Sequence, residues 1–398
     1  MKYIILFMLL IHFSDADTLT LKHVLKAAND NNRLIKAKDY ESLFLEAKNQ
    51  ADTAMDPLEL YGTGTRAYPK FDASGNEYSV GLSKQLPLGD SKKEEQMINR
   101  LNNEAYLLEE EKKILNFENG LKSLYHQHCL DHKNYKSFRQ NFEEFVKLYK
   151  KKQKAYQYQE ISKTELMQLE IEKNRLYAQL EELKASQMIS KQKLFILGNI
   201  RDIDKNVLVC NDMYPIRENV ELKENAFTLS QEAYEKRIKS TQVALKRHSR
   251  ALDSIELSAQ YDQEIDIDRY TVGVSVPLTF TSKRSEQERV AALHKNSALS
   301  FQYEQDMLEK RSIFMELKRT LKSKALMIRS LQSNLDNYNK QLLPLIKKGY
   351  ELGESSVIEY LLNRQNYYQI NQELLALQKN YYQTLFTLYT ISEMKDNK

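Results

Sequence analysis

The chain has 398 residues, a formal net charge of +4, 29% charged residues and a mean hydropathy of -0.63. So small a charge, with Lys and Glu interleaved as on a solvated helix surface, leaves no nucleic-acid-binding patch. The 10 glycines and 6 prolines, none of them between 121 and 197 or between 278 and 343, exclude a globular chain of short elements and point to long coiled-coil helices rich in Leu, Glu, Lys and Gln.

At the N-terminus Lys2 precedes an apolar run from Tyr3 to Phe13, and Ser14 and Ala16 are small residues at −3 and −1 of a cleavage after Ala16. This is the pattern of a secretory signal peptide over 1–16, with no cysteine after the cut to carry a lipid. From Thr18 to about Met55, Leu21, Leu25, Ala28, Leu43, Ala47 and Ala51 fit helical spacings, and Pro57 ends the segment. Residues 58–67 predict a strand, 68–75 a loop and 77–86 the returning strand of a hairpin. A long helix follows over about 91–150, with Ser91 and Glu94 spaced as a capping box, and another over about 160–197.

Gly198 closes the first half, and 199–218, with Cys210 and Pro215, is a connection of weak periodicity. The order then repeats. A helix over 219–252 leads to a strand at 255–262, an acidic loop at 262–268, a strand at 270–278 and a helix over 282–342. A turn around Gly349 and Gly353 precedes the last helix, 356–392, and a tail, 393–398. The domain plan is a first repeat at 17–198 (β-hairpin 58–88, helical hairpin 91–197), the connecting segment, and a second repeat at 219–392 (β-hairpin 255–278, helical hairpin 282–392).

The repeat has residue-level support. Tyr78, Val80 and Leu82 alternate with Ser79, Gly81 and Ser83 just as Tyr270, Val272 and Val274 alternate with Thr271, Gly273 and Ser275, the period of a strand with two unlike faces. A constant shift of 194 pairs Tyr156 with Tyr350, Ser162 with Ser356, Glu165 with Glu359 and Leu180 with Leu374. Heptads alone would match as well at shifts differing by seven, so a duplication explains the pairing. Gln159 falls opposite Gly353, so the two helical turns are expected to differ. Heptad rows run through Leu169, Leu176, Leu183 and Leu197, and through Tyr360, Tyr367, Leu374, Tyr381 and Leu388 with a second row one residue on. A helix of about 60 residues would be a rod of roughly 90 Å.

Four strands of about 9 to 11 residues with one apolar and one polar face suit a bilayer crossing. Four strands cannot close a barrel, and an open edge in lipid costs several kcal/mol per unpaired backbone group. Spanning therefore requires other copies of the chain. The lipid face is expected to carry Tyr78, Val80, Leu82, Tyr270, Val272 and Val274.

In its duplicated order, its Gly-x-Ser strand motifs ending in Pro-Leu (Gly81 to Leu88 and Gly273 to Leu278), and Gly349-Tyr350 with Gly353 and Ser356 before the last helix, the chain resembles the outer-membrane efflux proteins, the TolC-like channels of bacterial tripartite pumps. That resemblance implies an α+β membrane protein: a homotrimer with a twelve-stranded transmembrane β-barrel, four strands per chain, and a long α-helical tunnel in the periplasm. It implies an exit duct for small molecules or metal ions that docks a periplasmic adaptor and an inner-membrane pump, of the resistance-nodulation-division class. The adaptor contact is expected at Tyr156, Ser162, Gly349, Gly353 and Ser356, with Gly349 and Gly353 allowing positive φ and close backbone approach. No acidic gate is carried over, because 341–348 has no carboxylate and contains Pro344. A conduit for type I protein secretion would share these features. A non-channel periplasmic coiled-coil scaffold would need a soluble sheet and leaves the duplication without a purpose.

No nucleophile elbow, phosphate loop or CxxC pair is present, so neither an enzyme nor a cofactor is expected. Cys129 and Cys210 lie in unrelated contexts and do not form a disulfide framework. One ligand-like cluster, His126, His128, Cys129 and His132, has i, i+4 and i, i+3 spacings that could hold a soft divalent metal. It is taken instead as polar residues of a helical rod.

Overall fold

The computed structural model describes residues 18–68, 70, 74–220, 226–250, 252–277 and 283–393. The leader over 1–16 and Leu278 lie outside these. The elements are β1 (Thr18–Leu19), α1 (Leu21–Asp30), α2 (Arg33–Asp52), β2 (Glu59–Ala67), β3 (Gly75–Pro87), α3 (Ser91–Gln157), α4 (Lys163–Leu197), β4 (Val207–Leu208), α5 (Thr228–His248), β5 (Ser254–Gln263), β6 (Asp268–Ser275), α6 (Arg284–Asn337), a π-helical turn (Tyr338–Leu342), α7 (Leu343–Glu351) and α8 (Val357–Ile391). The described residues form two compact units, those of 18–33, 114–226 and 312–393 in one and those of 34–113 and 227–311 in the other. Each draws on both halves of the sequence.

Most boundaries follow the periodicity, and the departures have local causes. The helix expected over 18–55 is two helices, because Asn29-Asp30-Asn31-Asn32 strings together side chains that compete for backbone hydrogen bonds. The helix expected to begin at 219 begins at Thr228. The long helix of the second half gives way at Tyr338–Leu342 to a π turn. Pro344 lacks an N–H and its ring would strike the carbonyl four residues back, which the wider turn relieves. Ser91 lies inside α3, and the Glu94 carboxylate, expected to fold back as half of a capping box, instead meets Arg250 at 2.8 Å and Lys246 at 3.4 Å.

In the first unit one core gathers Leu21, Val24 and Ala28 of α1, Leu121, Tyr125 and Leu130 of α3, Leu194 and Phe195 of α4, Leu321 and Ile328 of α6, and the α8 rows containing Leu374, Leu375, Tyr381, Tyr382 and Leu388. A second cluster joins Phe138 and Phe145 of α3 to Leu169, Leu176 and Leu180 of α4 and Val357 of α8. The heptad rows thus mark packed faces, except that Leu197 is exposed.

The connection 199–220 is a strap bound to this core. Its backbone has little ladder to join, so buried side chains satisfy it. Tyr125 Oη donates to the Val209 carbonyl (2.6 Å), Tyr382 Oη to the Tyr214 carbonyl (2.6 Å) and Tyr381 Oη to the Arg217 carbonyl (3.0 Å). β4 pairs in parallel with β1, Val207 opposite Thr18. Cys129 of α3 and Cys210 of the strap form a disulfide, Cα to Cα 5.5 Å across 81 residues. This corrects the reading of two unrelated cysteines: the strap brings the distant contexts together.

In the second unit a four-stranded antiparallel sheet has the order β2-β3-β5-β6. α5 buries only Ser230, Ala233, Ser240 and Thr241, small side chains that let neighbouring helices approach its backbone. α2 buries nothing, and Tyr40, Leu43 and Phe44 stand exposed.

Candidate functional site

The sheet inverts the arrangement of a soluble one. Register places Leu60, Leu82, Ala259 and Val272 in one row and Gly62, Val80, Tyr261 and Tyr270 in the next, with Leu257 and Val274 adjoining in a row that Lys84 of β3 ends on the helical side. All point to one face, since partners across a ladder share a side. Among the described residues nothing covers it: Tyr270 is 81% and Val272 84% exposed, and Tyr78, Val80, Leu82 and Val274 are exposed as well. The six residues expected on a lipid face therefore lie together on it. Leu60, Leu257 and Tyr261 join them, and the register across β2 and β5 is what finds these. Tyr78, Tyr261 and Tyr270 stand at the loop end of the apolar band, next to Gln263 and Asp268, and the Tyr261 hydroxyl donates to Asp268 (3.0 Å). An apolar band bordered by tyrosines with polar tips is the pattern of a sheet at a membrane–water boundary.

The other face is polar, mostly half-buried along β3 and β5 and exposed along β6. Along it run Glu59, Tyr61 and Thr63, then Glu77, Ser79 and Ser83, then Glu256, Ser258, Gln260 and Asp262, then Arg269 and Thr271. Tyr61 crosses from β2 over β3 and donates to Gln260 Oε1 of β5 at 3.1 Å. It passes above Gly81, where a Cβ would run into the ring, and a Cβ at Gly273 would stand 2.7 Å from Ser258 Oγ. The glycines of the two Gly-x-Ser motifs are thus where side chains of this face lie close to the backbone. β2 and β6 pair on one side alone among the described residues.

In the first unit the two helical turns share their closing hydrogen bonds at the shift of 194. Gln159 N–H donates to the Tyr156 carbonyl (3.0 Å) and Glu160 N–H to that of Ala155 (2.9 Å); Gly353 N–H donates to Tyr350 (3.2 Å) and Glu354 N–H to Gly349 (2.8 Å). Both are Schellman closures with a left-handed residue, Gln159 at φ 60° and Gly353 at φ 77°. The expected difference between the turns is therefore absent: Gln159 accepts the conformation Gly353 adopts freely. Ser162 and Ser356 each cap the next helix, accepting from Glu165 and Glu359 N–H at 3.1 Å in both cases. Gly349 has no left-handed φ, and a Cβ there meets only ordinary contacts, so the close approach expected of it is not found; Gly353 has the positive φ but open space. Tyr156 is exposed at the first turn. Tyr158 (77% exposed) and Leu352 (63%), equivalent positions at the shift of 194, both project from the turns and carry no periodicity signal in the sequence. Lys152 pairs with Glu165 at 3.4 Å and lies 5.5 Å from the Tyr350 ring, so the two turns are neighbours.

The histidine cluster is dispersed. His126 is buried, donates from Nδ1 to the Lys122 carbonyl of its own helix (2.7 Å) and accepts the Tyr214 N–H at Nε2 (2.8 Å), so the first bond fixes the ring and the second holds the strap to α3. Cys129 is consumed by its disulfide. His128 meets Ser190 Oγ at 3.1 Å and His132 meets Gln187 at 3.3 Å. Burial, aided by the neighbouring His132, depresses the His128 pKa to about 4. Among the described residues no group of three or more His, Cys, Asp or Glu is placed to hold a metal ion, and no helix is long and apolar enough to cross a membrane.

No family model and no curated protein matches the sequence. Among solved structures the chain is similar to the Campylobacter jejuni CmeC outer membrane channel, at 16% identity and TM-score 0.76, covering 94% of this chain and 87% of that one. It is similar to the outer membrane protein VceC from Vibrio cholerae, at 13% identity and TM-score 0.72, covering 94% and 96%. It is also similar to the open state of the Neisseria gonorrhoeae MtrE outer membrane channel, at 15% identity and TM-score 0.65, covering 93% and 88%. The chain shares the fold of these outer-membrane proteins.

Proposed function

We propose that this chain is a TolC-like efflux protein: one subunit of a homotrimeric outer-membrane channel that serves as the passive exit duct of a tripartite pump. The observation that carries the reading is the inverted sheet, which leaves its apolar face exposed and gathers polar side chains on the other. In water such a sheet would leave a continuous apolar surface uncovered; in a bilayer that surface is the solvated one and the polar face lines a wet lumen. The free edges of β2 and β6 then require partners, because unpaired backbone groups in hydrocarbon are costly. Three copies joined edge to edge supply twelve strands and remove every edge. Their helices would form the periplasmic tunnel, with the uncovered faces of α2 and α4 packing against neighbouring subunits.

Such a duct works by shape and wetting and needs no catalytic group. Its two helical turns per chain would meet a periplasmic adaptor that links it to an inner-membrane pump. The histidine cluster lends no support to a metal-ion cargo, since His126 and Cys129 are committed to the strap. The test is reconstitution: purified chain should run as a trimer in detergent and conduct ions across a planar bilayer. A monomer without conductance would refute the reading.

A further inference from the structure

The two helical turns share a backbone but not a charge. Between 147 and 165 the first carries six lysines against two glutamates, a net +4; the equivalent stretch 341–359 carries two lysines against three glutamates, a net −1. The fold does not demand the difference, since the turns close with the same hydrogen bonds. Nor is the excess spent internally: Lys152 pairs with Glu165, but Lys150, Lys151, Lys154 and Lys163 are exposed and form no ion pair among the described residues. On the second turn Glu354 and Glu359 are exposed, and Glu351 reaches only Lys347, at 3.9 Å between two solvated side chains. At the equivalent positions 158 and 352 each turn also exposes a large apolar side chain, Tyr158 and Leu352.

We propose that the paired turns form a dipolar docking surface for a protein partner whose facing end is acidic opposite the α3–α4 turn and basic opposite the α7–α8 turn, with apolar seats for Tyr158 and Leu352. This rests on the duct reading, in which the turns are the docking end. A lipid surface fits less well: an anionic membrane presents one sign of charge and would repel the glutamates beside the lysines it attracts. A protein can offer both signs, and complementary charge fixes register and excludes wrong partners while the apolar anchors supply affinity. The matching backbones place the same anchor at both turns, and the charges tell a partner which turn is which.

The experiment uses the full chain in its own host, with ethidium accumulation as the readout of efflux. The Lys150→Glu, Lys151→Glu, Lys154→Glu variant should lose efflux by about tenfold or more while its trimer and its bilayer conductance stay at wild-type levels, the three sites being exposed and free of structural partners. Selection for restored efflux should then yield acid-to-base changes in a second protein. Normal efflux by the variant overturns the proposal. So do suppressors confined to this chain's Glu351, Glu354 or Glu359, which would make the charges a contact between copies, and so does wild-type flotation with phosphatidylglycerol vesicles that the variant loses, which would make the surface a membrane contact. Failure of the underlying duct reading looks different: the wild-type chain itself would show no conductance, and its deletion would leave ethidium accumulation unchanged.

Discussion

Gln159 and Gly353, 194 positions apart, hold the same left-handed conformation at the same point of two matching turns, φ 60° and 77°. An L-residue with a Cβ pays for that conformation with steric strain and glycine does not. Gln159→Gly should therefore raise unfolding stability by about 1 kcal/mol, read as a higher denaturation midpoint. Gly353→Val reverses the case. Nothing within 4 Å would meet its Cβ, so the cost is backbone strain confined to the turn, and the variant should keep its trimer and barrel yet lose efflux. Gly349→Ala, inside α7 with ordinary contacts only, should be tolerated. A Gln159→Gly chain less stable than wild type would overturn the assignment of strain.

The sheet predicts opposite outcomes for adjacent residues. Val272→Arg puts a guanidinium on the apolar face and should cost about 2 to 4 kcal/mol at the bilayer midplane, blocking insertion. Thr271→Arg points to the polar face beside Gln260 and should insert. Heat-modifiable trimer on gels separates the two, and equal tolerance would sink the facing of the sheet.

His128 makes stability depend on pH. Its folded pKa is about 4, below the ordinary value near 6.5. As pH falls below 6.5 the unfolded chain takes up a proton that the folded one refuses, so stability drops across pH 6.5 to 4 and levels off beneath. The full loss is on the order of 3 kcal/mol. His128→Gln should flatten that limb of the urea midpoint against pH, and the His128→Gln, His132→Gln pair should leave transport unchanged. Stoichiometric zinc binding lost in that pair, together with metal resistance, would reinstate the metal reading.

The strap should loosen when its sulfur bond is cut. Cys129→Ser or Cys210→Ser opens a loop of 81 residues, and loss of such a crosslink costs about 2 to 5 kcal/mol. Wild-type protein in dithiothreitol should show the same lowered midpoint, and the serine variants should no longer respond to the reductant. Insensitivity of the wild type would contradict a bond between these two cysteines.

How much of this was legible depended on how local the governing interaction is. Tyr78 to Leu82 and Tyr270 to Val274 announce their strands because alternation is written into adjacent residues, and the same alternation names the apolar face. The strap was opaque because its partners lie far off in sequence: Tyr125 holds Val209, and His126 holds Tyr214. Glu94 had the spacing of a cap, but Arg250 offered a stronger partner 156 residues away. The likeness of the two turns was hidden by a side chain, since Gln159 gives no sign in sequence that its backbone will accept the conformation of a glycine. Leu60 and Leu257 could be joined to the apolar face only once the register of β2 and β5 was known.

The disulfide also dates an event in the life of each molecule. A polypeptide made from its N-terminus presents Cys129 as a solitary thiol while the whole helical hairpin of α3 and α4 is still emerging, and Cys210 follows only after α4 has turned back along α3. The hairpin is thus the jig that delivers one sulfur to the other, and the bond closes correctly only on a finished hairpin. A chain whose hairpin has not yet folded back holds its two sulfurs 81 residues apart and unjoined.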